Sequence, residues 1–97
     1  MPDKSVRWLR VALQDLHELM AHLEANADRE TAEDVASRIW KAGKSLCVLS
    51  SRGRHGKLPG TRELVLSDAP YYISYRVGET EVQILRIVHF ARHHSQQ

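Results

Sequence analysis

The chain has 97 residues, a formal net charge of +2 and 42% hydrophobic residues. That length suits one domain with a modest core, and the apolar content excludes disorder over most of it. No apolar run approaches the roughly 20 residues needed to span a bilayer, and Met1 to Ser5 lacks the apolar core of a signal peptide, so a cytoplasmic protein with no membrane partner is expected.

Ser5 to Arg10 alternates as a short strand, with Val6 and Trp8 on one face. From Val11 the period changes. Leu13, Leu16, Met20 and Leu23 recur at helical spacing with Leu19 beside them, which predicts an amphipathic helix ending near Asn26-Ala27-Asp28. A second helix is predicted from about Arg29 to Thr31, capped by Asp28 or Thr31. Val35, Ile39, Ala42, Leu46 and Leu49 form its apolar stripe. The short link between the helices predicts an antiparallel hairpin. Trp8, Trp40 and Cys47 are expected in the core.

Ser50 to Gly60 is then a loop, because its glycines and Pro59 forbid a long helix. Arg52, Arg54 and Lys57 lie there with His55, Arg62 follows just after, and no acid occurs until Glu63. Residues 1–49 hold seven cations and eight acids, whereas residues 50–97 hold seven cations, four acids and four of the six histidines. The second half is therefore the one expected to meet an anionic partner.

Three strands are predicted next. They are Thr61 to Leu66, Tyr71 to Val77 and Glu81 to Phe90, with turns at Ser67 to Pro70 and Gly78 to Thr80. In the last strand Val82, Ile84, Val88 and Phe90 should share one face, and Leu85 and Ile87 the other. The fold class is α+β: an N-terminal strand, an antiparallel helical hairpin, then a three-stranded antiparallel meander completing one sheet. Residues 1–97 make one domain, with 92–97 a fraying tail. Two helices on one face of an antiparallel sheet leave the other face for a protein partner to cover.

Three segments also carry a family resemblance. They are Pro59-Gly60-Thr61-Arg62-Glu63-Leu64, then Pro70 through Val77, then Ile84-Leu85-Arg86-Ile87-Val88-His89-Phe90-Ala91-Arg92. Together they resemble the C-terminal half of the ParE/RelE superfamily, the toxins of bacterial type II toxin–antitoxin modules. Val6-Arg7-Trp8, Ala12 to Leu16 and Arg38-Ile39-Trp40 extend the similarity over nearly the whole chain. The fold it implies matches the element order above.

The resemblance implies three functional alternatives. In the RelE branch, cations on the sheet hold a scissile phosphate of messenger RNA on the ribosome, and a further acid or base moves a proton. Arg62, Arg86, His89 and Arg92 are the groups available for that role. The branch commonly carries an arginine where this chain has Tyr72, and His89-Phe90-Ala91-Arg92 is closer to the Leu-His-Gly-Ala-Arg pattern of the ParE branch. The ParE branch poisons DNA gyrase, whose DNA-cleaving subunit is the expected contact, without cutting RNA. Arg52, Arg54, His55, Lys57, Arg62, Arg76, Arg92, His93 and His94 would then contact the target. The third alternative is a toxin-derived domain that only binds. A cognate antitoxin is implied, docking on Leu16, Leu19, Met20, Leu23 and Tyr72, with a homodimer or a hetero-oligomer as further assemblies. No cofactor is expected. No metal is expected either, since no Cys or acid joins His89, His93 and His94 at ligand spacing.

Overall fold

Strand β1 (Ser5–Trp8) leads through Leu9 into α1 (Arg10–Asn26) and α2 (Arg29–Ser45). Four strands follow: β2 (Arg54–His55), β3 (Thr61–Val65), β4 (Tyr71–Val77) and β5 (Glu81–His89). The sheet order is β1-β5-β4-β3-β2. This is a computed structural model, and it describes residues 3–91.

The helices are set by capping and by apolar spacing. The Asp28 carboxylate accepts the Thr31 N–H at 2.7 Å and starts α2. Hydrogen bonds from Thr31 hold that carboxyl below its ordinary value. The inward stripe of α1 runs through Ala12, Leu16, Leu19 and Leu23. Leu13, expected on that stripe, is 45% exposed because Ala12 takes the inward position. In α2, Ala32 and Ile39 are buried, as is Leu46 at its C-cap, while Leu49 lies past the end of the helix and is exposed. Ile39 is fully buried against the sheet, so Ile39→Ala would cost about 2–5 kcal/mol.

The meander β3-β4-β5 is antiparallel, as its short turns require. β1 is not antiparallel. It runs parallel to β5, from Ser5 opposite Glu81 to Trp8 opposite Ile84. A parallel pair needs a long crossover, and the helical hairpin is part of it. The sheet is therefore mixed.

The expected grouping of faces in β5 also changes. Ser74 pairs with Arg86, but Tyr75 pairs with Ile84, so Leu85 is an extra residue. That bulge exchanges the two faces midway along the strand. Val82, Ile84 and Ile87 all join the core under the helices. Val88 turns to the open face, opposite Tyr72.

Candidate target-binding surface

The connection from α2 to β3 is held from beneath. Tyr75 is fully buried. Its hydroxyl accepts the Gly53 N–H at 2.8 Å and donates to the Ser50 carbonyl at 2.8 Å. Arg62 donates from Nη1 to the carbonyls of Gly53, at 2.8 Å, and Ser51, at 3.3 Å. Position 53 must be glycine for this approach, because an added Cβ would lie 2.7 Å from the Tyr75 hydroxyl. Beyond it, Arg54 and His55 pair with Glu63 and Arg62 as β2. Gly60, at φ 80°, closes the turn into β3. The predicted loop therefore contains a small strand and a fixed framework.

This framework divides the predicted contact residues. Arg62 is engaged by the carbonyls of the connection and acts as its tie. Arg54 lies within an ion pair to Glu63 at 2.9 Å. Its guanidinium also lies 5.9 Å from the ring centres of both Tyr72 and Phe90. Those two rings are 5.1 Å apart and make a small apolar cluster on the open face. Burial, and then the nearby Glu63 carboxylate, push the Tyr72 hydroxyl above its ordinary value. This cluster covers part of the open face, while Val65, opposite Tyr72, remains 43% exposed there.

Arg52, His55 and Lys57 are exposed on the same connection. Arg52 donates to the Ser45 hydroxyl at 2.8 Å. It also borders a cleft of about 370 Å³ with Arg38, Ala42, Leu64, Leu66 and Asp68. Arg76 is exposed on β4, opposite Thr61. Arg92, His93 and His94 lie outside the described residues.

The groups considered for RNA cleavage are not assembled. The Asp15 carboxylate accepts from Arg86 at 2.7 and 3.0 Å, and from the Ile87 N–H at 3.0 Å. Those bonds from Arg86 raise the pKa of its guanidinium, so it stays charged. Arg62 pairs across the sheet with Tyr75 on the helix side, whereas Arg86 pairs with Ser74 on the open side. Strand β4 lies between them, which separates their strands by about 10 Å. His89 sits opposite Tyr71, with the rings 5.0 Å apart edge to face. That position is about four residues along the sheet from the Arg62 row, roughly 13 Å. Its Nδ1 lies 3.0 Å from the Ala91 N–H, which donates to it. Among the described residues no group of three His, Cys, Asp or Glu is placed to hold a metal ion.

The residues expected to meet the antitoxin lie along α1 and on β4. Leu19 is buried, and Leu16, Met20 and Leu23 pack against the core. Tyr72 is 5% exposed beneath Arg54. Leu16, Met20 and Leu23 keep part of their surface exposed, beside the exposed Val11 and Leu13 on the same helix. The exposed apolar side chains are elsewhere, including Trp40, Val48 and Leu58. Trp40, expected in the core, is 48% exposed and stacks on Trp8 with ring centres 4.9 Å apart. The signal for it was present: Trp40 directly follows the inward Ile39, and a helix turns by about 100° per residue.

The family model described as "ParE toxin of type II toxin-antitoxin system, parDE" matches residues 6–94. The chain belongs to the ParE toxin family. "Putative toxin Y4kP" of Sinorhizobium fredii is 40% identical over 89 residues, covering 92% of this chain and 91% of that protein. The structure of the chromosomal ParDE system from P. aeruginosa superposes with a TM-score of 0.86 at 31% identity, covering 92% of this chain and 98% of that one. The toxin–antitoxin complex RelBE2 from Mycobacterium tuberculosis gives 0.67 at 23% identity, covering 92% and 93%, a likeness of fold. As a ParE-family member the chain is a toxin of a type II toxin–antitoxin system. Among the described residues no helix is long and apolar enough to cross a membrane.

Proposed function

We propose that this ParE-family toxin acts in the cytoplasm by binding DNA gyrase, through the DNA-cleaving subunit of that enzyme, and arrests replication without catalysing a reaction of its own. One observation carries the choice against RNA cleavage. Arg62, Arg86 and His89 are spread over two faces and two strands, and Arg62 and Arg86 are each committed to a structural partner. Phosphoryl chemistry needs charge stabilisation and proton transfer at one point. A rigid cationic ridge, by contrast, suits recognition of an acidic or phosphate surface. Arg52, His55 and Lys57 would supply it, with Arg76 on the sheet and Arg92, His93 and His94 beyond the described residues.

A cognate antitoxin neutralises the toxin in this proposal. The support is that the matched solved structures are toxin–antitoxin systems. Purified protein should inhibit gyrase supercoiling or trap cleaved DNA, and should leave ribosome-bound messenger RNA intact. Codon-phased RNA cleavage with gyrase unaffected would reverse the proposal in favour of the RelE-type activity. Loss of both activities, with a partner still bound, would leave a binding domain.

A further inference from the structure

We propose that the cleft between α2 and the β3–β4 turn binds a small carboxylate with an apolar chain, of the chemical class of the medium-chain fatty acids. The proposal goes beyond the gyrase reading and does not rest on it. The walls come from distant parts of the chain: Ala42 on α2, Arg52 on the connection, and Leu64 to Ala69 on β3 and the turn after it. Arg38 braces them. Its guanidinium bridges Asp34 on its own helix and Asp68 on the turn, each at 3.1 Å. The cleft, of about 370 Å³, falls within the usual range for small-molecule sites, about 300–1,000 Å³. It equals roughly a dozen water molecules' share of the liquid, which suits a ligand of about ten non-hydrogen atoms.

The lining selects the ligand. Ala42, Leu64, Leu66 and Ala69 give it an apolar part. Of the two lining arginines, Arg38 is compensated by its two aspartates. Arg52 is exposed and in no ion pair among the described residues. Its bond to the Ser45 hydroxyl, at 2.8 Å, uses Nη1 and leaves other donors of the planar fork for a carboxylate. Val65 adds a main-chain donor. The Leu66 N–H bonds inward to Tyr71, so the N–H and C=O of Val65 turn away from β4. β2 begins at Arg54, opposite Glu63, so no strand among the described residues lies across Val65. One open cation, one open N–H and an apolar lining match a single carboxylate carrying a hydrocarbon chain. A phosphate monoester fits less well, because Asp34 and Asp68 would repel its second negative charge.

The test is an NMR titration of the full chain with octanoate, compared with octanol, which lacks the charge, and acetate, which lacks the chain. Octanoate should give saturable shifts at the amides of Val65 to Ala69 and at Arg52 Nε, with Kd of about 1 mM or tighter for a ligand of this size. Octanol and acetate should each bind about tenfold more weakly or worse. Arg52→Gln, an exposed change, should weaken octanoate about tenfold and leave octanol unaffected. Ala42→Leu, which fills the cleft, should remove binding of both; should that variant not fold, the Arg52→Gln comparison decides alone. Equal binding of octanoate and octanol would overturn the assignment by making the cleft a mere apolar groove. Equal binding of octanoate and acetate would reduce it to a loose counter-ion at Arg52. Shifts centred instead on the exposed Val48, Leu49 and Leu58 would mean adsorption of a surfactant and would overturn it as well. So would the absence of any shift at the cleft.

Discussion

Arg86 is locked to Asp15 by two hydrogen bonds of 2.7 and 3.0 Å, across 71 residues of chain. β1 ends opposite Ile84, so β5 beyond that point lacks a neighbour on one side. Asp15 reaches from α1 and takes the Ile87 N–H that a longer β1 would have bonded. One carboxylate thus finishes the sheet and immobilises a cation that the family resemblance could have assigned to catalysis. Asp15→Asn should lower stability by about 1–3 kcal/mol, since bonds to a charged group are lost around a side chain that is 12% exposed. Urea unfolding measures this. Arg86→Lys should leave toxicity close to wild type if Arg86 has only this structural role.

Tyr75→Phe tests the framework under the basic connection. It removes the acceptor of the Gly53 N–H and the donor to the Ser50 carbonyl. The expected loss is about 1–3 kcal/mol. Exchange at the Gly53 amide should accelerate beyond what global unfolding explains.

The exposed cations should behave differently. Replacing Arg52, His55 and Lys57 together with alanine should leave the unfolding midpoint within about 0.5 kcal/mol of wild type. If the ridge contacts gyrase, a loss of about 1.4 kcal/mol of binding raises the half-inhibitory concentration about tenfold. The remaining inhibition should show a shallower salt dependence. A folded, fully inhibitory triple variant would make the connection a solvated link. Arg54→Ala is a separate case, because it also uncovers Tyr72 and Phe90.

Stability should respond to pH at both ends. Hydrogen bonds from Arg7, and then Gln83, lower the Glu81 pKa below its usual 4.5. A lowered carboxylate contributes stability that is present above its unfolded value and is lost as pH falls through the folded one. Glu81→Gln should therefore flatten the decline on acidification below about pH 4.5. Tyr72 has the opposite sign. Its pKa is raised from 10.0 by burial, so its contribution is complete below that value and is lost as pH rises through the raised one. Tyr72→Phe should flatten the alkaline decline above about pH 10. Thermal midpoints across the pH range test both.

The sequence was most legible where the signal is local. Tyr71 to Val77 matches β4 at both ends, because alternation is bounded by Pro70 and Gly78. The helical hairpin followed from spacing and from Asp28. Long-range relations were not legible. Nothing near Ser5 states that its partner is Glu81 or that the pairing is parallel. The bulge at Leu85 leaves no local mark, since apolar residues occupy both faces of β5 and fit either phase. The candidate site suffered in the same way. Arg52, Arg54 and Arg62 look alike as cations in one loop, and only the folded positions of Ser45, Glu63 and the Gly53 carbonyl tell them apart. The hairpin leucines were visibly a stripe, and they pack against the core while Leu16, Met20 and Leu23 stay partly exposed.

The pairing of β1 with β5 has a consequence for synthesis. Ser5 leaves the ribosome well before its neighbour Glu81 is made. The interior strand that receives β1, Asp15 and the inward face of α1 is made only after both helices. Contacts so distant in sequence also form slowly. A nascent or prematurely terminated chain should therefore carry helices without their sheet, and no toxic surface. The folded toxin can therefore appear only once β5 has been made.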